Sequence, residues 1–169
     1  MANDIFERLK EDHDKHRQLI EAVKETTGDS DERKSLFDEF KTDSMAHAAA
    51  EEGTLYVAMM GDPEIRQDAQ HSVKEHAELG MLFVELSEMD MASSGWLNKF
   101  NKLAEEYIHH IDEEEEEKFP KAREELGEDK AIALTPEFEE RKPVEIERVK
   151  ADADVPEIKK AIEEEEGAK

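Results

Sequence analysis

The chain has 169 residues, of which 41% are charged and 37% hydrophobic, and its formal net charge is −24. A charge this negative disfavours binding to nucleic acid or to anionic membranes, because both need clustered Lys and Arg. The chain has no cysteine, which excludes disulfides, thiolate metal sites and cysteine nucleophiles, so any metal is held by nitrogen and oxygen. The length is typical of one domain, and the scarcity of Gly, Pro and aromatic residues favours an all-α fold.

The sequence also gives an indication of where in the cell the protein is located. No apolar run approaches the roughly 20 residues that a membrane-spanning helix needs. The first residues, Met-Ala-Asn-Asp, lack the basic start and the apolar stretch of a secretory signal peptide. These features predict a cytoplasmic protein with neither a membrane nor a nucleic acid as its partner.

Apolar residues at helical spacing predict four helices, separated by turns rich in Gly, Ser, Asp and Pro. The predicted helices span residues 4–27 (A), 31–60 (B), 63–92 (C) and 96–119 (D). Asp4 is the predicted N-cap of helix A, and Pro63 is the predicted first residue of helix C. Pro120 is expected to end or kink helix D.

Helices B and D carry the same short motif. His47 precedes Glu51 by four residues in helix B, and His110 precedes Glu114 by four in helix D. Residues four apart lie on one face of a helix, one turn above each other. In each copy the imidazole and the carboxylate therefore point to the same side of the helix, which is typical of a pair of metal ligands.

A single upstream histidine accompanies each motif, His13 in helix A and His76 in helix C. The two separations are equal at 34 residues (47 − 13 and 110 − 76), and the halves repeat every 63 residues (76 − 13 and 110 − 47). Each predicted turn lies midway between consecutive histidines of this set, and residues equidistant from the turn of an antiparallel hairpin lie at the same height. We therefore expect all four imidazoles in one layer of an antiparallel up-down-up-down four-helix bundle formed by residues 1–126.

Burying four imidazoles and two carboxylates in one layer is costly unless they are paired. Six mixed donors exceed the needs of one tetrahedral zinc, whereas two ions bridged by Glu51 and Glu114 use them all. Histidines that merely pack or hydrogen-bond in a polar bundle are the less favoured alternative. Glu52 and Glu115 are interpreted as solvated neighbours. The predicted metal ligands are His13, His47, Glu51, His76, His110 and Glu114.

The other histidines and one tyrosine leave alternatives open. Three roles are open for His16: a fifth ligand, a group that supports a ligand by hydrogen bonding, or a core histidine. The supporting role is favoured. His109 competes with His110 for the ligand position, but the repeat favours His110. His71 is expected on the surface. Tyr56 is expected to close the bundle around the site, and a polar role for it is the less favoured alternative.

Residues 127–169 differ from the rest of the chain. They contain three of the five prolines and end in an acidic run at residues 163–166. Their few apolar residues are too sparse for a core of their own, which predicts a charged C-terminal appendage of short helices or disorder that is partly disordered or lies along the bundle. This extension is also a candidate surface for a protein partner.

The pattern of His13, His47-x3-Glu51, His76 and His110-x3-Glu114 over residues 1–126 resembles the hemerythrin-like domains, also called HHE cation-binding domains. The resemblance implies a non-haem centre of two iron ions with bridging carboxylates. In this family such centres bind oxygen, sense oxygen or iron, or handle peroxide or nitric oxide.

The chain departs from the oxygen-carrying hemerythrins in two places. Those proteins have a second histidine four residues after the helix-C ligand, where this chain has Gly80. They also have an aspartate five residues after the helix-D histidine, where this chain has Glu115 after His110, or Glu114 after His109. The missing ligand leaves space beside one iron and disfavours reversible oxygen carriage.

Two functions follow as expectations. The leading one is a di-iron protein that binds or reacts with oxygen or a related small oxidant, such as peroxide or nitric oxide, in sensing or detoxification. The alternative is an iron sensor or buffer in which metal orders the bundle and the extension signals to a partner. A catalytic zinc or manganese site is a third hypothesis. Ferritin-like oxidation is disfavoured, because ferritin-like bundles use Glu-x-x-His pairs and are richer in carboxylate.

Overall fold

The structure is a computed structural model that describes the backbone of residues 4–167 and the side chains of residues 4–152. Within this range every regular element is helical. Two π-helical turns, Glu52–Tyr56 and Glu114–Lys118, join α2 to α3 and α5 to α6. The helices are α1 (Ile5–Lys24), α2 (Asp31–Glu51), α3 (Val57–Met60), α4 (Arg66–Glu88), α5 (Ser94–Glu113), α6 (Phe119–Leu126) and α7 (Glu128–Gly167).

The predicted all-α bundle is confirmed. α1 packs against α2 and α5, and α4 packs against α5 and α2, as an up-down-up-down order requires. The side chain of Asp4 caps α1 by accepting a hydrogen bond from the backbone N–H of Glu7 at 2.9 Å. None of the helices in the described range has both the length and the apolar composition that crossing a membrane requires.

Two boundaries differ from the prediction. α4 begins at Arg66, because Asp62 and Pro63 belong to a turn in which the carbonyl of Asp62 accepts from the N–H of Arg66 at 2.9 Å. Pro120 does not end the fourth helix. It is the second residue of α6, which continues from the π-helical turn Glu114–Lys118 and runs on to Leu126.

Two apolar clusters lie on either side of the predicted ligand layer. On α1, Leu9 belongs to one cluster and Leu19 to the other, and His13 lies between them. On α2, His47 separates Phe40 from Ala50 in the same way. The polar layer is therefore enclosed above and below by packed hydrophobic side chains.

The prediction of short helices or disorder after Gly127 is wrong for the backbone, because α7 is one helix of 40 residues. Ala131, Leu134 and Phe138 are almost fully buried in the apolar cluster that contains Leu9. These residues need no core of their own, since their spacing places them on one face that covers an existing cluster. The side chains of residues 153–169, with the acidic run, lie outside the described residues, as do residues 1–3, which include the first three residues used for the signal-peptide prediction.

Candidate metal centre

The structure brings the side chains of all six predicted ligands into one layer. Glu51 and Glu114 are almost completely buried, as are three of the four histidines, and His76 is partly buried. They form two overlapping groups that share Glu51, and within each group the possible ligand atoms lie within 4.8 Å of one another. The groups are Glu51, His76, His110 and Glu114, and His13, His47 and Glu51.

Each carboxylate lies between an imidazole of one half of the bundle and an imidazole of the other. Glu51 has the Nε2 atoms of His47 at 3.9 Å and His76 at 3.3 Å from its two oxygens. Glu114 has the Nε2 atoms of His13 at 3.4 Å and His110 at 3.3 Å. Each carboxylate therefore has an imidazole nitrogen from each half of the bundle within 4 Å, so a cation bound beside either imidazole would also be near a carboxylate.

The outward-facing nitrogen of every one of these histidines is held by a second carboxylate. An imidazole whose Nδ1–H donates to a carboxylate keeps its Nε2 lone pair free, and this is the usual way in which proteins orient a histidine for a metal. The four pairs are His13 with Glu115 at 3.1 Å, His47 with Asp12 at 2.8 Å, His76 with Glu52 at 3.1 Å, and His110 with Glu75 at 3.0 Å.

Asp12 and Glu75 were not predicted from the sequence, and Glu52 and Glu115 were predicted to be solvated neighbours. The repeat could have indicated them. Asp12 and Glu75 are separated by the 63-residue period of the ligands (75 − 12), and so are Glu52 and Glu115 (115 − 52). The pairing is reciprocal between the halves. The carboxylate beside the helix-B glutamate holds the helix-C histidine, and its copy beside the helix-D glutamate holds the helix-A histidine.

Several polar atoms inside the layer have no hydrogen-bond partner. They are Nε2 of His13 and of His47, both carboxylate oxygens of Glu51, and Oε2 of Glu114. The Nε2 atoms of His76 and His110 face each other at 3.1 Å, although each is an acceptor when Nδ1 carries the hydrogen. Buried polar atoms without partners are rare in proteins, and cations would satisfy all of these. The donor set of imidazole nitrogen and carboxylate oxygen therefore fits a metal.

Without a metal, protons take over part of this role. Burial lowers the pKa of His13, but the nearby carboxylates of Glu114 and Glu115 outweigh it and raise the pKa to about 9. Burial likewise opposes the protonation of His76, but the nearby carboxylates of Glu51 and Glu52 raise its pKa to about 10. Metal binding through these nitrogens therefore has to displace protons at neutral pH.

Two aromatic rings that correspond in the repeat cover the site unequally. The ring of Tyr56 stacks on His76 at 5.5 Å, and that of Phe119 stacks on His13 at 5.9 Å. Only the tyrosine has a hydroxyl, which donates to Glu114. Burial and the charge of Glu114 raise the pKa of Tyr56, so it remains a protonated donor. The two halves of the site therefore differ in the hydrogen bonding of their carboxylates.

His16 packs edge-on against His47 at 5.4 Å between ring centroids. Its Nε2 is 2.6 Å from Asp43, and its Nδ1 is 2.7 Å from the hydroxyl of Tyr107. Burial lowers the pKa of His16 to about 4, so the neutral ring donates to Asp43 and accepts from Tyr107. Neither nitrogen is left for a metal, and this favours a supporting role over a fifth ligand.

The two remaining histidines lie away from the layer. The side chain of His109 is 77% exposed, whereas that of His110, its neighbour in sequence, is 4% exposed. The side chain of His71 is 53% exposed, as the sequence predicted. The geometry therefore favours His110 over His109 as the histidine that faces the site.

A lysine supports one histidine-holding carboxylate in each half, but the two lysines have different origins. Glu75 lies 3.3 Å from Lys118, which belongs to the π-helical turn after α5. Leu55 occupies the position that corresponds to Lys118 in the first half, which provides no lysine there. Asp12 pairs with Arg8 of α1 at 2.7 Å and with Lys142 of α7 at 2.9 Å. α7 therefore completes the surroundings of the layer.

A family model described as the hemerythrin HHE cation binding domain matches residues 4–122. The chain belongs to the hemerythrin HHE family. The structure is similar to that of an HHE cation binding domain-containing protein from Mycobacterium kansasii, with a TM-score of 0.76 and 22% identity over 88% of this chain and 90% of the other. No curated protein sequence matches significantly. This HHE chain is thus a cation-binding helical bundle with a buried cluster of His and Glu able to hold metal.

The histidine-holding carboxylates give a first testable prediction. Replacing Glu75 by Gln removes a charged acceptor from Nδ1 of His110, and we expect metal affinity to fall by about 10- to 100-fold. Glu78→Gln on the same helix is the matched control, because the side chain of Glu78 is 57% exposed and pairs only weakly with Lys74. Competition with a chromophoric chelator measures both affinities. Equal affinities would show that Glu75 does not orient His110.

Proposed function

We propose that this HHE protein holds two iron ions in the buried layer. The observation that supports this most directly is the position of Glu51 and Glu114, each between imidazoles of opposite halves and each with an oxygen that lacks a hydrogen-bond partner. The proposed ligands are His13, His47, Glu51, His76, His110 and Glu114.

Two iron ions held in this way supply one-electron redox chemistry toward oxygen, peroxide or nitric oxide. The chain itself would bind and orient the ions, and its two apolar clusters enclose the layer from above and below. Tyr56 holds a proton at Glu114, and Gly80 leaves room on the side of His76. We propose that the reduced protein binds or reacts with oxygen or a related small oxidant, in sensing or detoxification in the cytoplasm.

The test is an absorption spectrum. Anaerobically reduced, iron-loaded protein should develop a new charge-transfer band when it is exposed to oxygen, peroxide or nitric oxide. Protein loaded with zinc, which has no redox chemistry, is the matched control and should show none. Iron-loaded protein that develops no band with any of the three oxidants would contradict the proposal.

The contact between Lys142 and Asp12 favours a second candidate, an iron sensor or buffer. Because Asp12 holds His47, metal binding and the docking of α7 share a carboxylate, and a protein partner could read the position of α7. If the protein is a sensor, iron should raise the melting temperature of the unsubstituted protein. The increase should be smaller in Lys142→Met, because this variant lacks the contact between α7 and Asp12. An unchanged melting temperature would contradict the sensor but not the redox proposal. Elemental analysis distinguishes either candidate from a zinc or manganese site.

A further inference from the structure

An apolar cavity of about 360 Å³ lies between α2, α4 and α5, on the side of the layer where His76 and His110 meet. Those two histidines, with His47 and Glu52, form its polar end. Aliphatic and small side chains form much of the remaining wall, among them Met45, Ala49, Val73, Ala77 and Gly80. The cavity is therefore an apolar space with metal-ligating groups at one end.

This cavity adjoins the protein surface. A groove of about 390 Å³ runs along the outer face of α4, and Met45, Ala77 and Gly80 line both the groove and the cavity. The outer part of the groove contains Met81, which is 65% exposed, and Val84, which is 47% exposed. An apolar path therefore leads from solvent to the side of His76.

Gly80 keeps this path open. A Cβ placed on Gly80 would meet no atom within 4 Å, and its backbone does not have the positive φ that calls for glycine. Glycine weakens the interior of a helix, and α4 gains nothing from it in backbone geometry. The effect that remains is the absence of a side chain at the junction of cavity and groove.

The size and the charge of the space indicate its occupant. Its volume is roughly ten times the ~30 Å³ that a water molecule occupies in the liquid, so a diatomic molecule fills little of it. It falls in the range of small-molecule sites, about 300–1,000 Å³. Of the described residues that line cavity or groove, none is Lys or Arg, the ring of His76 is paired with the carboxylates of Glu51 and Glu52, and the chain carries a net charge of −24. An anionic ligand is therefore disfavoured relative to a neutral one.

We propose that the cavity binds a neutral, apolar organic molecule of about ten non-hydrogen atoms, with one end against His76 and His110. This site deepens the proposed function, because that end would lie beside the proposed metal centre. The apolar remainder of the molecule would lie against Val73, Ala77 and Gly80 and extend toward the groove.

The experiment uses 1-fluoronaphthalene as a neutral probe and follows its ¹⁹F NMR signal with the full-length, metal-free protein. We expect saturable binding, weakened at least tenfold in Gly80→Leu and in Ala49→Leu, which fill the space from opposite walls. Lys74→Leu is the matched control, because it adds the same side chain to α4 at a position whose lysine is 75% exposed. Circular dichroism verifies that each variant is folded, and Ala49→Leu serves if Gly80→Leu is not. Absence of binding, or equal binding in the folded filling variants, would overturn the proposal.

Iron(II) loading separates this inference from the proposed function. Paramagnetic broadening of the bound probe signal is expected if one end lies beside the metal, and binding without broadening in iron-loaded protein overturns the placement. If the protein binds two iron ions but no probe, the inference fails and the proposed function stands. If the probe binds in a Gly80-dependent manner and no iron is taken up, the proposed function fails and the cavity remains a binding site.

Discussion

His47→Ala and His110→Ala are each expected to remove most of the bound metal, with affinity lowered by more than about 100-fold. Substituting a residue that only holds a ligand costs about 10- to 100-fold, so removing a ligand itself should cost more. The two substitutions act on different halves of the layer, because the Nε2 of His47 faces Glu51 and that of His110 faces Glu114. Metal per chain, measured by mass spectrometry after gel filtration, gives the result.

His109→Ala is the sharpest control for this prediction. His109 and His110 are adjacent and chemically identical, yet the side chain of His109 is 77% exposed and that of His110 is 4% exposed. His71→Ala is a second control on another helix, with a side chain that is 53% exposed. Both controls should retain the metal content of the unsubstituted protein. Loss of metal in His109→Ala with retention in His110→Ala would reverse the ligand assignment.

The second large effect concerns α7. Phe138→Ala should lower the free energy of unfolding by about 3–5 kcal/mol, because it leaves a cavity at a fully buried position. The ring of Phe138 packs edge-on against His47 at 5.8 Å, and the guanidinium of Arg8 lies over it at 5.1 Å. Urea denaturation of the metal-free protein measures the change without any contribution from metal binding.

Ile132→Ala provides the comparison on the same helix. Ile132 is 45% exposed, so its truncation should change the free energy of unfolding by about 0.5 kcal/mol or less. Similar small effects of both substitutions would mean that α7 does not cover the bundle in solution. A large effect of Phe138→Ala alone would show that the C-terminal segment is part of the folded unit. It would also count against a domain boundary at residues 126 and 127, which is so far a prediction.

The sequence predicts the four helices well because their spacing and their turns agree. His13, His47, His76 and His110 lie symmetrically about turns that Gly, Ser, Asp and Pro identify independently, and this symmetry fixes their common height. The prediction needs no knowledge of side-chain contacts. For that reason it extends to the layer as a whole, but not to the hydrogen bonds around it.

Contacts between helices account for what the sequence analysis missed. Asp12 precedes His13 on α1, yet it holds His47 on α2, and no periodicity within one helix predicts that pairing. Lys142 was missed for a related reason. In the first half Leu55 stands where the second half has Lys118, and Lys142 reaches Asp12 from α7, beside Arg8 of α1. A comparison of the two halves, residue by residue, would have indicated the gap but not what fills it.

The most direct test of the two-metal centre is the metal content of full-length protein purified from iron-replete cells, measured together with protein concentration. Six donors arranged so that Glu51 and Glu114 each lie between two imidazoles predict two iron ions per chain. A single ion per chain, two ions of zinc or manganese, or no metal above the level found in the His47→Ala and His110→Ala double variant would contradict the di-iron centre.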